Sequence, residues 1–283
     1  MRERSDEEME RQDLAHAQRL VFKIGTNSLL TDQNTIDYPR IDRLAFTLAS
    51  LRQAGKEVVL VSSGAIGVGC VQQGIAQRPQ AIPEQQALAA LGQVTLMSIY
   101  SRFFAYYNQD VAQILLTRDV MDYPESLKNC RNSLEVLLAQ KVIPVINEND
   151  AVAVDELDHQ TRFGDNDTLS ALVSNIVEAD LLVLLTDVDG FYTADPHSDP
   201  QAQRISRLEG ISQDNLDQAG GKGSSFSTGG MATKLKAGKL VLDQGRSMVI
   251  MGSQEPAHIF KLLAGEDIGS LVSARQSSQK EEK

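Results

Sequence analysis

The strongest constraint on the fold is a series of six short and almost wholly apolar runs spaced along the chain. They occupy residues 20–24, 58–61, 112–116, 142–146, 181–185 and 248–251. Runs of this length are typical of strands that are buried on both faces of a parallel sheet.

The segments between these runs carry helical patterns. Apolar residues recur at three- and four-residue spacing between positions 41 and 51, with Pro39 placed to start that helix and Gly55 to end it. We expect a second helix from about Pro83 to Tyr107, a third that ends near Gln140, and a β-hairpin at residues 152–163. The alternation predicts an α/β sandwich of βα repeats with right-handed crossovers.

Composition excludes several functional classes. The chain has 283 residues and a net charge of −11, so nucleic acid or an anionic membrane is not expected as its main partner. Two cysteines and four scattered histidines indicate no disulfide framework and no zinc site. The cysteine usage makes a reducing cytoplasm the expected compartment. No apolar secretory signal or membrane-spanning run is visible.

Functional residues are expected directly after the strands, because ligands bind beyond the carboxyl ends of such sheets. Lys23 ends the first strand, although a lysine here could also be an ordinary surface residue. After the second strand, Gly64, Gly67 and Gly69 open a helix whose free N–H groups favour an anion. Close helix packing is the alternative explanation of these glycines. Neither a dinucleotide fingerprint nor a Walker A loop is present.

Two clusters of acids and amides follow the fourth strand, at residues 147–150 and 165–168. Such groups can hold an amino group and hydroxyl-like donors, while residues 165–168 could equally cap a helix. An acidic turn begins at Thr186, where a solvated turn is the alternative. Lys234 lies near a predicted helix start, where a cation is unfavourable unless an anion is bound.

Six motifs occur in a characteristic order between about residues 19 and 270. They are VFKIGTNSL, VSSGAIGVG, PVINENDAVA, FGDNDTLSA, LLTDVDGFYTADP and STGGMATKLKA. Each is weak alone, but together they are highly specific. The chain resembles the amino-acid kinase superfamily, and within it most closely the glutamate 5-kinase family.

This resemblance implies a three-layer αβα sandwich with a mainly parallel central sheet. It implies transfer of the γ-phosphoryl group of ATP, accompanied by Mg²⁺, to the side-chain carboxylate of L-glutamate, as the first step of proline biosynthesis. A homo-oligomer, dimer or tetramer, and feedback by proline are implied as well. Many family members carry an additional C-terminal domain resembling RNA-modifying-enzyme modules, and we expect a short form without it.

The resemblance also implies a domain organisation. Residues 19–272 form the kinase domain, with a glutamate-binding N-terminal part and a nucleotide-binding part from about residue 165. Residues 1–18 are expected to be a polar extension and residues 273–283 a polar tail.

Site residues are carried over from the matching motifs. Catalytic roles are implied for Lys23, Asp167 and Lys234, with Lys23 contacting the transferred phosphoryl group and Asp167 positioning both lysines. The implied glutamate-binding residues are Ser63, Gly64, Ala65, Asp150 and Asn166. Besides Lys23, the implied nucleotide-binding residues are Thr186, Asp187, Thr228, Gly229, Gly230, Met231, Ala232, Thr233 and Lys234. No protein metal ligand is assigned.

These roles define a mechanism as a hypothesis. A glutamate carboxylate, with a reference pKa of about 4.3, is already a nucleophile at neutral pH. Lys23 would then meet the attacking side of the γ-phosphate and Lys234 the leaving side. Three alternatives stay open: another amino-acid or carbamate-type kinase of the same fold, a catalytically silent amino-acid sensor and, least favoured, a nicotinamide enzyme.

Overall fold

A computed structural model describes residues 11–152, 165–194, 196, 199–212 and 230–273. Ten strands occur in these residues: β1 (Arg19–Ile24), β2 (Glu57–Ser62), β3 (Val111–Leu116), β4 (Ile143–Glu148), β5 (Leu181–Thr186), β6 (Phe191–Tyr192), β7 (Arg204–Ile205), β8 (Arg207–Glu209), β9 (Ser247–Gly252) and β10 (Ser270–Ser273). The helices are α1 (Tyr38–Gln53), α2 (Ala65–Gln73), α3 (Ile82–Ala105), α4 (Asp119–Asp122), α5 (Pro124–Ala139), α6 (Asn166–Ile176), α7 (Met231–Leu242) and α8 (His258–Leu263). Short 3-10 turns occupy Leu14–His16 and Thr26–Ser28.

Eight strands form one sheet in the order β3-β4-β2-β1-β5-β9-β10-β8. Neighbouring strands are parallel, except that β10 runs antiparallel to β9. Strands β6 and β7 pair separately as an antiparallel ribbon. The mainly parallel sheet predicted from the six apolar runs is confirmed, and each run coincides with one of its strands except that Val142 precedes β4.

Side-chain alternation along the strands divides the core into two layers. On β1, Phe22 and Ile24 pack on the face covered by α1, α3 and α8. Val21 packs on the opposite face, covered by α5, α6 and α7. The molecule is therefore a three-layer αβα sandwich. Because successive side chains of a strand point to opposite faces, Lys23 follows Val21 towards α6 and α7.

Local signals explain where the helices begin and end. Pro39 lies in the first turn of α1, and Asp37 caps it by accepting a bond from the Arg40 N–H at 3.0 Å. Gly55, at φ +94°, follows its end. Asp165 caps α6 by accepting a bond from the Thr168 N–H at 2.7 Å, as predicted for residues 165–168.

Some expectations fall partly or wholly outside the described residues. Only position 152 of the predicted hairpin is described, and residues 1–10 and 274–283 are not. Residues 11–17, within the predicted polar extension, include the buried side chains of Arg11, Leu14 and Ala17. Arg11 donates to the Ser206 carbonyl at 2.7 Å and pairs with Asp267 at 2.8 Å.

A helix that spans a bilayer needs about 20 consecutive, mainly apolar residues. Within the described ranges, no helix combines the necessary length and apolar character.

Candidate active site

The carboxyl ends of β1, β2, β4 and β5 lie at one edge of the sheet, because these strands are parallel and adjacent. The segments that follow them bring together residues from distant parts of the sequence. This edge is where ligands bind in open α/β sheets.

Asp167 lies between two buried lysines at this edge. Its Oδ1 lies 2.7 Å from Nζ of Lys23 on β1, and its Oδ2 lies 3.2 Å from Nζ of Lys234 on α7. Thr233 donates its hydroxyl to the same Oδ2 at 2.9 Å. The three charged residues are each less than a tenth exposed. The structure thus brings together the three residues for which the resemblance implies catalytic roles.

The charge state of Asp167 follows from its neighbours. Burial alone would raise its pKa, but the positive charges of Lys23 and Lys234 and the hydrogen bonds to Lys23 and Thr233 hold the pKa below its ordinary value. Asp167 therefore remains a carboxylate at neutral pH. It compensates the charges of both lysines and keeps them close together.

A cavity of about 530 Å³ lies at the same edge of the sheet. All five residues predicted to bind glutamate line it: Ser63, Gly64, Ala65, Asp150 and Asn166. Glu148, Asp165 and Arg78 line it as well. The lining of the cavity therefore includes three carboxylates and one guanidinium group. This combination suits a ligand that carries both positive and negative charge.

Helix α2 begins at the cavity. Gly64 precedes it with φ +99°, a left-handed conformation that disfavours a side chain. The first N–H groups of an α-helix lack an intrahelical partner, and none of the described side chains caps this helix end. Ala65, Ile66 and Gly67 line the cavity and bring this positive end of the helix to it.

Packing explains Gly69 better than ligand binding does. A Cβ atom at Gly69 would lie 2.2 Å from the carbonyl oxygen of Leu88, and one at Gly92 would lie 1.9 Å from that of Ala65. Helices α2 and α3 therefore touch through their backbones. Gly69 is not among the residues that line the cavity, and close packing accounts for its lack of a side chain.

An amide network connects the cavity to α3. The Nδ2 group of Asn166 donates to Oγ of Ser63 at 2.7 Å and to Oδ1 of Asn147 at 3.1 Å. Asn147 in turn donates through Nδ2 to Oε1 of Gln93 at 2.9 Å. Asn147 belongs to the polar cluster at residues 147–150 but is not among the site residues that the resemblance implies. For Gln93, nothing in its helical sequence context indicated a link to the site.

The predicted nucleotide residues that the structure describes occupy two segments. At the end of β5, the Thr186 hydroxyl donates to Oδ1 of Asp187 at 2.8 Å, and Asp187 lines a second cavity next to Arg40. The start of α7 supplies the second segment, formed by Gly230, Met231, Ala232, Thr233 and Lys234. The predicted residues Thr228 and Gly229 lie outside the described residues.

The described residues contain no group of three or more His, Cys, Asp or Glu side chains placed to hold a metal ion. Both oxygens of Asp167 already face cationic groups. Protein Mg²⁺ sites in kinases use only one or two carboxylates and otherwise substrate phosphates and water. A site built from one or two carboxylates together with phosphates would not form such a group.

Comparison with known proteins links this geometry to a family. The model of the amino acid kinase family matches residues 18–252. A glutamate 5-kinase of Lactiplantibacillus plantarum is 52% identical over 90% of this chain and 96% of its own length. One from Enterococcus faecalis is 51% identical over 92% of this chain and 96% of its own length.

Solved structures share the architecture at much lower identity. A carbamate kinase from Giardia lamblia, bound to AMP-PNP, superposes with a TM-score of 0.65 at 15% identity and covers 92% of this chain and 99% of that chain. A UMP kinase from Bacillus anthracis gives a TM-score of 0.61 at 16% identity, with coverages of 92% and 97%. These similarities establish the fold.

Proposed function

The chain belongs to the amino acid kinase family, and because close relatives are named glutamate 5-kinase, we propose that it phosphorylates L-glutamate. The reaction transfers the γ-phosphoryl group of ATP to the side-chain carboxylate, yielding L-glutamyl 5-phosphate and ADP. It is the first step of proline biosynthesis. The observation that carries the proposal is the buried Lys23–Asp167–Lys234 cluster at the same sheet edge as an acid- and amide-lined cavity.

The nucleophile needs no general base. The γ-carboxylate of glutamate ionises near pH 4.3, so it is already an anion at neutral pH. The remaining obstacle is the repulsion between this anion and the triphosphate. Enzymes catalyse phosphoryl transfer mainly by positioning the reactants and stabilising their charge. The site has to hold the two reactants in line and offset their negative charge.

The two lysines supply the positive charge that offsets this repulsion. An ammonium group about 4 Å from a phosphate oxygen contributes roughly 4 kcal/mol at an effective dielectric constant near 20. Lys23 belongs to the glutamate side and contacts the phosphoryl group during attack, while Lys234 belongs to the nucleotide side and stabilises the leaving oxygen. Asp167 positions both. A magnesium ion bound with ATP would neutralise further phosphate charge, held by phosphate oxygens and water.

The cavity has a suitable group for each part of glutamate. Asp150 is assigned to the α-ammonium group, together with the amide of Asn166 and the hydroxyl of Ser63 as polar ligands. Backbone N–H groups at Gly64 and Ala65, at the positive end of α2, suit a carboxylate. Arg78, which also lines the cavity, suits the second carboxylate.

The nucleotide side is assigned to the later part of the chain. Thr186, Asp187 and the segment from Thr228 to Lys234, namely Thr228, Gly229, Gly230, Met231, Ala232, Thr233 and Lys234, bind ATP in the proposal. This gives the kinase domain, residues 19–272, a glutamate-binding part and a nucleotide-binding part that starts near residue 165. Lys23 and Lys234 meet at their junction, on Asp167.

The proposal includes a cellular setting and regulation. It places the enzyme in the cytoplasm, as a homo-oligomer inhibited by proline, without nucleic acid or a membrane as partner. Free Cys70 and Cys130 agree with a reducing compartment. Light scattering on the purified chain tests the assembly, and an assay with added proline tests the feedback.

The decisive experiment is a hydroxamate assay with glutamate, ATP and Mg²⁺. Hydroxylamine traps an acyl phosphate, so the proposal predicts glutamate-dependent γ-glutamyl hydroxamate and an equal amount of ADP. The same assay with aspartate, carbamate and N-acetylglutamate distinguishes other kinases of the fold. A complete lack of glutamate-dependent ADP would instead favour a silent sensor and overturn the proposal.

A further inference from the structure

We propose that Gln93 is a positioning residue for glutamate binding, which acts through Asn147 to fix the amide of Asn166. The inference rests on the proposed function and adds a residue that has no direct place in the cavity. Gln93 lies on α3 and is only 8% exposed. One hydrogen bond joins Gln93 to Asn147, and a second joins Asn147 to Asn166.

The backbone determines the orientation of the Asn147 amide. Oδ1 of Asn147 accepts a bond from the backbone N–H of Glu148 at 2.9 Å. A backbone N–H can only donate, so this side of the amide must be the oxygen. Nδ2 of Asn147 consequently points the other way, at Oε1 of Gln93. Gln93 therefore has to present an acceptor.

The orientation of Asn166 follows in the same way. Its Nδ2 lies 3.1 Å from the carbonyl oxygen of Ser62, which can only accept, and 3.1 Å from Oδ1 of Asn147. Both contacts require the NH₂ group on this side. Oδ1 of Asn166 is thus fixed on the other side of the amide, where it is buried without a hydrogen-bond partner in the described structure.

A buried acceptor without a partner is costly, so a ligand that supplies a donor gains from it. Asn166 lines the cavity together with Asp150. A primary ammonium group has three donors, enough to serve both a carboxylate and this carbonyl oxygen. The network therefore favours a ligand with a free ammonium group over one in which that nitrogen is acylated.

Gln93 contributes by completing the network from a buried helix position. Without an acceptor at position 93, Nδ2 of Asn147 would lose its partner in a buried place, and its amide would no longer be held in one orientation. Asn166, which uses the oxygen of that amide, would lose part of its support. The effect should be confined to glutamate, because these contacts lie on the glutamate side of the site.

The test compares two substitutions that differ in one property. Gln93→Glu keeps an acceptor facing Asn147, whereas Gln93→Met has similar length and helix propensity but no strong acceptor. Gln93→Lys offers only donors and stays informative if the methionine variant folds poorly. Val94→Met, at the adjacent and 72% exposed position of α3, controls for a methionine in this helix.

Steady-state constants are measured for glutamate and for ATP in the hydroxamate assay. For Gln93→Met and Gln93→Lys we expect the KM for glutamate to rise about tenfold, and the KM for ATP to stay within about twofold. For Gln93→Glu and Val94→Met both constants should stay within about threefold of the wild-type values. Glutamate should also raise the melting temperature less in the first two variants than in the wild type.

Two results would overturn the role of Gln93 while leaving the proposed function intact. One is an unchanged ratio of the two KM values in Gln93→Met and Gln93→Lys. The other is an equal loss in Gln93→Glu, because the acceptor would then not be what matters. Failure of the proposed function itself would appear differently, as a wild-type chain that forms no glutamyl hydroxamate.

Discussion

The ammonium group of Lys23 lies 2.7 Å from Oδ1 of Asp167, and this contact joins the central strand β1 to the first turn of α6. The second oxygen of the same carboxylate faces Lys234 on α7. One buried acid thus sets the distance between a lysine on β1 and a lysine in the first turn of α7. Substitutions within this cluster should affect chemistry more than binding.

Lys234→Ala is the most direct test of the cluster. We expect kcat to fall several hundredfold or more, because a transition-state contribution of about 4 kcal/mol is lost. The control is Lys236→Ala, which removes an exposed lysine two positions along the same helix. Initial rates at saturating glutamate and ATP measure the effect, and wild-type turnover in Lys234→Ala would refute the assignment.

Asp150→Ala should separate the two substrates. The lost carboxylate is proposed to bind the ammonium group of glutamate, so the KM for glutamate should rise at least about tenfold while that for ATP changes little. Asp243→Ala, at the opposite end of α7, serves as a matched control for the loss of an acid. Equal increases in both constants would show that Asp150 is not a glutamate ligand.

Gly92→Ala should damage the site from a distance. The added Cβ would lie 1.9 Å from the Ala65 carbonyl, so α2 must move away from α3 and carry its cavity-lining start with it. We expect a loss of about 1–3 kcal/mol in the free energy of unfolding and a lower kcat/KM for glutamate. Urea unfolding and kinetics measure both, with Ala90→Ser on the exposed face of α3 as control. Retention of full stability and activity would contradict the close packing.

Acid should remove the stabilisation that Asp167 provides. Its folded-state pKa is below the ordinary value, so the unfolded chain takes up the proton first as the pH falls. The contribution is complete at neutral pH and is lost below about pH 4, as the pH passes through the folded-state pKa. Asp167→Asn should therefore be less stable than the wild type at pH 7, by about 2–4 kcal/mol. Urea unfolding at several pH values should show this difference shrinking towards pH 3, and a constant difference would contradict the explanation.

Arg11→Ala should destabilise the fold without changing the chemistry. Arg11 is 6% exposed and donates to the carbonyl oxygens of Ser206, Ile268 and Gly269. Removing it leaves these acceptors without that donor, which should cost about 2–3 kcal/mol in the free energy of unfolding. Arg43→Ala, which loses only a half-exposed contact of 3.9 Å to Glu255, should cost less than about 1 kcal/mol. Equal melting temperatures for the two variants would speak against an anchoring role.

The sequence predicted those features whose signal lies in a continuous segment. The apolar runs located the central strands, and Asp165 marked the start of α6 because an acid before a helical pattern is a cap. Short strands escaped prediction, since β7 and β8 contain only two and three residues and carry no measurable alternation. Their pairing depends on neighbours that are distant in sequence.

Site residues likewise divide into those with a signal in their own sequence segment and those that depend on distant partners. Roles for Lys23, Asp167 and Lys234 are implied by the family motifs, and their places near strand ends or helix starts fit the topology of a parallel sheet, which brings such positions together. Gln93 could not be found, because its partner Asn147 lies 54 residues away and its own segment has an ordinary helical pattern. The burial of Arg11 was missed for a similar reason: its surrounding sequence is polar, while its partners lie more than 190 residues away.

The position of Arg11 has a consequence for the order of events during synthesis. Its partners at residues 268 and 269 are separated from it by 257 and 258 positions, nearly the whole chain. A ribosome makes residue 11 more than 250 residues before these partners, so the segment cannot dock until they too have been made. Contacts of such long range also carry the largest loop-closure cost. Arg11 therefore reaches its native contacts only after residues 268 and 269 have been synthesised.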